Sequence, residues 1–175
     1  IDANNYYLAG GVEGNTTFGT SGVIAVPGSG KEIFVSGTDR ATNTTSWFDI
    51  SENDNGGDVW AEDVEADGTG LVYVAGSYIG TTEFGNGADP QAAGNNDAYI
   101  AQYQDDGTYM YTSTATDGSD VIGLSVGYDD LGGVYLAGTV VTLTAAADSG
   151  SVFLNWSGNL SGTNNPDSLT MDADK

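Results

Sequence analysis

The chain of 175 residues has no cysteine and no histidine, and it sets only three lysines and arginines against 25 carboxylates, a formal net charge of −22. Each scarcity excludes something. Without Cys or His there is no Ser-His-Asp triad, no Cys-His nucleophile, no zinc centre of the usual ligand set and no disulfide framework. The excess of negative charge repels phosphate backbones and anionic headgroups, which argues against nucleic acid and membrane insertion alike. No run approaches the ~18 apolar residues that a spanning helix needs. What remains is one domain's length of polar, glycine-rich chain, 27 glycines in all, long enough to bury a core.

Several features point outside the cell. The chain opens at Ile1 without an initiator methionine or a signal-peptide core, as a processed form or an excerpt would. Four sequons stand at Asn15, Asn43, Asn155 and Asn159, each a candidate glycosylation site. With the acidity and the shortage of lysine they predict a secreted or cell-surface protein, stabilised by packing, ions or assembly in place of disulfides. The 19 Asp and 6 Glu fit two environments. One is a solvated surface suited to high salt; the other is calcium held by Asp-rich turns, which makes calcium the candidate cofactor.

The chain repeats itself. A pattern of aromatic, aliphatic, small residue and glycine occurs as Tyr7-Leu8-Ala9-Gly10, Phe34-Val35-Ser36-Gly37, Tyr73-Val74-Ala75-Gly76 and Tyr135-Leu136-Ala137-Gly138. Each copy follows a β-former and reads as a short strand. Around the last two copies the register is exact over a long window: Asp58-Val59, Val64, Asp67 and Gly70 recur as Asp120-Val121, Val126, Asp129 and Gly132. Strand, Asp/Gly turn and second strand make an antiparallel hairpin. Residues from Ala9 to Gly19 recur in part between Ala75 and Gly85. No 3.6-residue apolar period persists, and glycine punctuates the chain throughout, so the fold class is all-β.

Asp67-Gly68-Thr69-Gly70-Leu71-Val72-Tyr73-Val74-Ala75-Gly76, Thr82-Glu83-Phe84-Gly85 and Asn96-Asp97-Ala98-Tyr99-Ile100-Ala101-Gln102 together resemble the secreted prokaryotic β-propeller repeat family. The resemblance is clear over residues 58–139 and partial elsewhere. It departs from the family at Gln102, where lysine is common, and in residues 151–175, which lack a full fourth strand. It implies a β-propeller-like domain of about four small antiparallel blades in a secreted setting, and it brings no catalytic residues. Three repeats stacked linearly are the alternative architecture. Either way residues 1–175 read as one repetitive domain, with hairpin units around 167–175/1–10, 22–50, 58–113 and 120–156. The first unit is a cyclic reading: Asp167 through Lys175 and on to Tyr7 spans the same interval as Asp58 to Tyr73, so that 167–171 would pair with 5–9.

Candidate chemistry is confined to carboxylates and aromatics. Ser51, Asn53, Asn55 and Glu62 have the spacing of a calcium loop, with Asp58 inside it, although an ordinary glycine turn aligns with the same segment. Asp105-Asp106, Asp129-Asp130 and the pair Asp172 and Asp174, joined by Asp2 if the termini meet, are further candidate metal ligands, or turn residues. Carboxylate pairs could serve a glycosidase, but among 25 carboxylates some pair always falls at a suitable separation. Trp47, Trp60 and Trp156 lie in strand-like runs where core packing competes with sugar stacking. Residues 81–96 form the longest expected loop and the best binding tip. The expectation is a non-enzymatic extracellular structural protein, self-associating head to tail as a surface or filament subunit. A glycan- or protein-binding module is the alternative.

Overall fold

A computed structural model describes residues 1–17, 23–24, 30–51, 57–85, 91–116, 120–129, 131–139, 141–143 and 167–169. Every regular element among them is a strand: β1 (Asn5–Val12), β2 (Thr16–Thr17), β3 (Val23–Ile24), β4 (Glu32–Asp39), β5 (Thr44–Ile50), β6 (Val59–Ala66), β7 (Leu71–Thr82), β8 (Gln91–Gln104), β9 (Tyr109–Ala115), β10 (Ile122–Tyr128), β11 (Val134–Thr139), β12 (Val141–Leu143) and β13 (Asp167–Leu169). They form small antiparallel sheets: β1-β4-β5, the four-stranded meander β6-β7-β8-β9, the hairpin β10-β11, and the short pairs β2-β3 and β12-β13. The chain is all-β, as its turn-punctuated composition predicts. Among the described residues the sheets do not close into a ring.

The repeat is a structural one. Both matched windows are hairpins, with Val64 opposite Val74 in β6–β7 and Val126 opposite Leu136 in β10–β11. Each carries a one-residue irregularity at the same place, Glu62 in one copy and Leu124 in the other. A bulge adds a residue to one strand and sharpens its twist, so a shared bulge is a shared backbone path. β1 and β7 correspond in turn, because Gly10 pairs with Phe34 as Gly76 pairs with Tyr99.

That correspondence corrects the second copy of the four-residue pattern. Phe34 does not occupy the position of Tyr73; it lies on the neighbouring strand and matches Tyr99, while Tyr7, Tyr73 and Tyr135 remain equivalent. A four-residue pattern of aromatic, aliphatic, small residue and glycine suits two adjacent strands equally well, since both alternate against the same core. Two further expectations differ from the structure. Residues 167–169 pair with 141–143, and the described partner of β1 is β4. The described ends of the segment 81–96 extend β7 and β8 as paired strand, Thr81 with Ala92 and Thr82 with Gln91, while residues 86–90 lie outside the described residues.

The three larger sheets stack face on face. Tyr7, Ala9, Ile33, Val35 and Trp47 from one face of β1-β4-β5 meet Val72, Val74, Tyr99, Ala101 and Tyr103 from β6–β9 in the main core. The opposite face of the meander, with Tyr73, Ala75 and Ile100, meets Val126, Val134 and Leu136 of β10–β11. A strand covered on both faces carries apolar side chains at consecutive positions, and residues 72–78 of β7 are all buried. Trp47 lies between the rings of Tyr7 and Tyr103, at centroid distances of 6.2 and 6.4 Å. Its Nε1 donates to the Asp105 carbonyl at 2.7 Å, so this tryptophan joins the first two sheets.

Candidate functional site

Three aspartates do the same local work. In the β6–β7 turn, Asp67 Oδ1 accepts from the Thr69 and Leu71 amides at 2.8 and 3.0 Å, and its Oδ2 accepts from Thr69 Oγ1 at 2.7 Å. In the β10–β11 turn, Asp129 Oδ1 accepts from the Leu131 and Gly133 amides at 2.9 and 2.8 Å, and its Oδ2 accepts from the Tyr135 hydroxyl at 2.6 Å. Before β1, Asp2 Oδ1 accepts from the Asn4 and Asn5 amides at 2.7 and 2.6 Å, and its Oδ2 accepts from the Tyr7 hydroxyl. A short carboxylate that gathers turn amides is the side-chain mimic of a backbone turn. The charged form is what these donors stabilise. Burial raises Asp67, but the Thr69 hydroxyl and the turn amides outweigh it and hold its carboxyl below the ordinary 3.8. For Asp129 the Tyr135 hydroxyl is the main cause of a lowered pKa.

The glycines that close the repeated motif lie inside strands, not at their ends, and are required there by close approach. A Cβ on Gly76 would sit 1.8 Å from the Trp60 carbonyl oxygen, and one on Gly138 would sit 2.2 Å from that of Ile122. Both carbonyls belong to the bulged first strand of each hairpin, so bulge and glycine are one device. At Gly10 the nearest atoms are the edge of the Phe34 ring, at 3.0 Å. Between the second and third sheets, Asp63 Oδ2 accepts from Ser125 Oγ at 2.7 Å and from the Val126 amide at 3.0 Å. Asp63 and Ser125 sit at corresponding positions just past the two bulges, so one repeat clamps the next.

The predicted metal ligands fall in separate places. Asp58 Oδ1 accepts from the Lys31 amide at 2.9 Å, and Glu62 is the exposed bulge residue of β6. Asp105 and Asp106 form the β8–β9 turn, where Asp106 Oδ1 accepts from the Thr108 amide at 2.9 Å. Among the described residues no three acidic side chains gather as a metal would need. Asn53, Asn55, Asp130, Asp172 and Asp174 lie outside those residues, as do the sequons at Asn155 and Asn159 and the ring of Trp156. Asn15 and Asn43 are both exposed, in turns after β1 and β4. Asn43 has a φ of 55°, a left-handed conformation that asparagine tolerates. Trp60 is half-buried, with Lys31 Nζ 5.6 Å above its ring.

Some chemistry-bearing residues escaped the sequence reading. Glu32 is fully buried at the start of β4, where its Oε2 accepts from Ser51 Oγ at 2.8 Å. Asp97 is buried at the matching position of β8. The sequence signal they share is a carboxylate two residues ahead of an aromatic, Phe34 and Tyr99, which composition alone hides. A shallow cleft of about 290 Å³ lies between the two repeated turns, lined by Asp67, Thr69, Tyr73, Tyr128, Asp129 and Gly132.

Both ends of the stack expose large apolar side chains. Tyr6 and Leu8, on the outer face of the first sheet, are 43% and 57% exposed, whereas their counterparts Val72 and Val74 are fully buried. Tyr135, on the outer face of β11, is 60% exposed, whereas Tyr73 is 6% exposed.

A family model for a divergent InlB B-repeat domain matches residues 109–175, less than half the chain. That match begins in β9 and takes in β10–β11 and the β12–β13 pair. Comparison with curated proteins found no match.

Proposed function

We propose that this protein is a non-enzymatic structural module of the cell surface or its surroundings, in which successive sheets act as propeller-like blades and whose copies associate head to tail. The observation that carries this reading is the twofold use of one stacking contact: first sheet on second, then second on third, with corresponding residues at each junction. A front-to-back contact that recurs along a chain can also serve between chains, and when its rotation does not close it builds a filament. The location is supported by the match to a bacterial repeat family found in surface proteins and by the exposure of Asn15 and Asn43 as glycosylation candidates. The structural reading is supported further by how the turn aspartates are used. Asp67 and Asp129 are occupied with backbone amides, and such commitment leaves them poorly placed as acid and base.

Particle size measured by light scattering, over a range of protein concentration and salt and with calcium or a chelator, tests it. Growth with concentration is expected. A chain that stays monomeric under every condition contradicts the proposal. The cleft between the Asp67 and Asp129 turns supports a second reading, a glycan-binding module, because tyrosine rings and carboxylates together suit a polyhydroxylated ligand. Glycan binding by that monomer, lost in Tyr128→Ala, would favour this second reading.

A further inference from the structure

Within the chain each junction joins a front to a back. The front of a unit presents the tyrosine and alanine of the anchor strand: Tyr7 and Ala9 in the first sheet, Tyr73 and Ala75 in the second. The back presents the intervening aliphatics: Val72 and Val74 in the second sheet, Val134 and Leu136 in the third. Residues one apart on a strand point to opposite faces, so every unit carries one front and one back. Two junctions use two fronts and two backs. One of each is left over: the back of the first sheet, with Tyr6 and Leu8 beside a small cluster of Val12, Phe34, Phe48 and Ile50, and the front of β11, with Tyr135 and exposed Ala137.

We infer that these two surfaces are the halves of one heterologous contact, in which the Tyr135–Ala137 front of one copy seats on the Tyr6–Leu8 back of the next. This deepens the self-assembly reading and rests on it. The occupant of each surface is a second copy because the complementary surface is carried by the chain itself and is already used twice inside it. Charge at the rims agrees: Arg40 lies over the Tyr6 ring at 5.1 Å on the back, while Asp129 holds the Tyr135 hydroxyl on the front. Apolar area removed from water drives such a contact. Copies that each carry a net charge of −22 repel one another, so the contact forms when salt shortens the range of that repulsion.

The test uses two variants, Leu8→Asp and Tyr135→Asp, each of which blocks one end with a buried charge. Both sites are exposed in the single chain, and circular dichroism verifies the fold. If either aspartate variant fails to fold, Leu8→Ser and Tyr135→Ser replace the pair. Sedimentation velocity in molar salt is expected to show polymers for the wild type. Each variant alone needs at least ~10-fold more protein to assemble, since a loss of ~1.4 kcal/mol per contact is tenfold. An equimolar mixture forms one-to-one dimers, because the open front of one variant meets the open back of the other. Polymers of either variant at wild-type concentrations overturn the inference while leaving self-assembly in place. Dimers of a single variant point to an isologous contact and overturn it too. A wild type that remains monomeric overturns both this inference and the reading beneath it.

Discussion

β1 and β7 carry nearly the same sequence, Tyr7-Leu8-Ala9-Gly10 against Tyr73-Val74-Ala75-Gly76, and occupy corresponding positions in their sheets, yet their environments differ. β7 has a hydrogen-bonded neighbour on each side and a sheet packed on each face. β1 has one described neighbour, β4, and one covered face. The difference teaches that the motif encodes a two-faced strand meant for the middle of a stack, and that burial is decided by what surrounds it. Where a neighbour is missing, the same side chains become an exposed apolar surface, which in soluble proteins commonly marks a contact site.

The comparison breaks most sharply at glycine. Gly76→Ala drives a methyl into the Trp60 carbonyl, and backbone cannot yield as a side chain can, so a loss above ~4 kcal/mol in chemical denaturation, or failure to fold, is expected. Gly10→Ala meets only the edge of the Phe34 ring, and a change within ~1 kcal/mol is expected. Equal losses at the two sites would mean that β1 has a first-strand neighbour after all.

Truncation of the aliphatic anchor gives the next largest contrast. Val74 is fully buried and Leu8 is 57% exposed. Val74→Ala is expected to cost ~2 kcal/mol, and Leu8→Ala to stay within ~0.5 kcal/mol of wild type in dilute solution. Under assembling conditions the Leu8 variant should show the larger defect, in polymer formation alone.

Smaller effects come from the turns. Asp67→Ala removes the acceptor for two backbone amides and the Thr69 hydroxyl, and ~1 kcal/mol is expected. Its carboxyl is held below the ordinary 3.8 in the folded state. Its contribution is therefore fully present above that value and is lost as pH falls through the lower folded value. The stability gap between wild type and Asp67→Ala should be constant from neutral pH down to about pH 5 and close below about pH 4. A gap that persists in acid would show that Asp67 acts by shape and not by charge. The smallest effect is general: the melting temperature should rise with salt as the self-repulsion of the −22 charge is screened. A response already complete at sub-millimolar calcium would indicate bound ions instead.

Much of this architecture could be read in advance, and the failures have physical causes. The offset of 62 residues between the two hairpins located β6–β7 and β10–β11, because turn aspartate, glycine and alternating apolar residues must all keep register in a repeated hairpin. The bulges at Glu62 and Leu124 left no mark, since a bulge needs no particular residue on the bulged strand. Phe34 was misplaced because alternation identifies a strand but not its order in a sheet. Asp129 drew attention as a candidate ion ligand, as did Asp2 beside Asp172 and Asp174, whereas Asp67 was legible only as a repeat and turn residue. All three are turn organisers, a role that the same residue type and spacing serve equally well. The end surfaces were beyond reach of sequence altogether, because Leu8 and Val74 look alike until their neighbours are known.

The central claim is that copies meet front to back, and a cysteine-free chain allows it to be tested directly. A double variant, Leu8→Cys with Tyr135→Cys, can be treated under assembling conditions with a short bismaleimide that spans the ~10 Å between stacked sheets. A ladder of covalent multimers on a denaturing gel is predicted, with residue 8 of one copy linked to residue 135 of another by mass spectrometry. Assembly without that linkage, or a linkage confined to single chains, would contradict it.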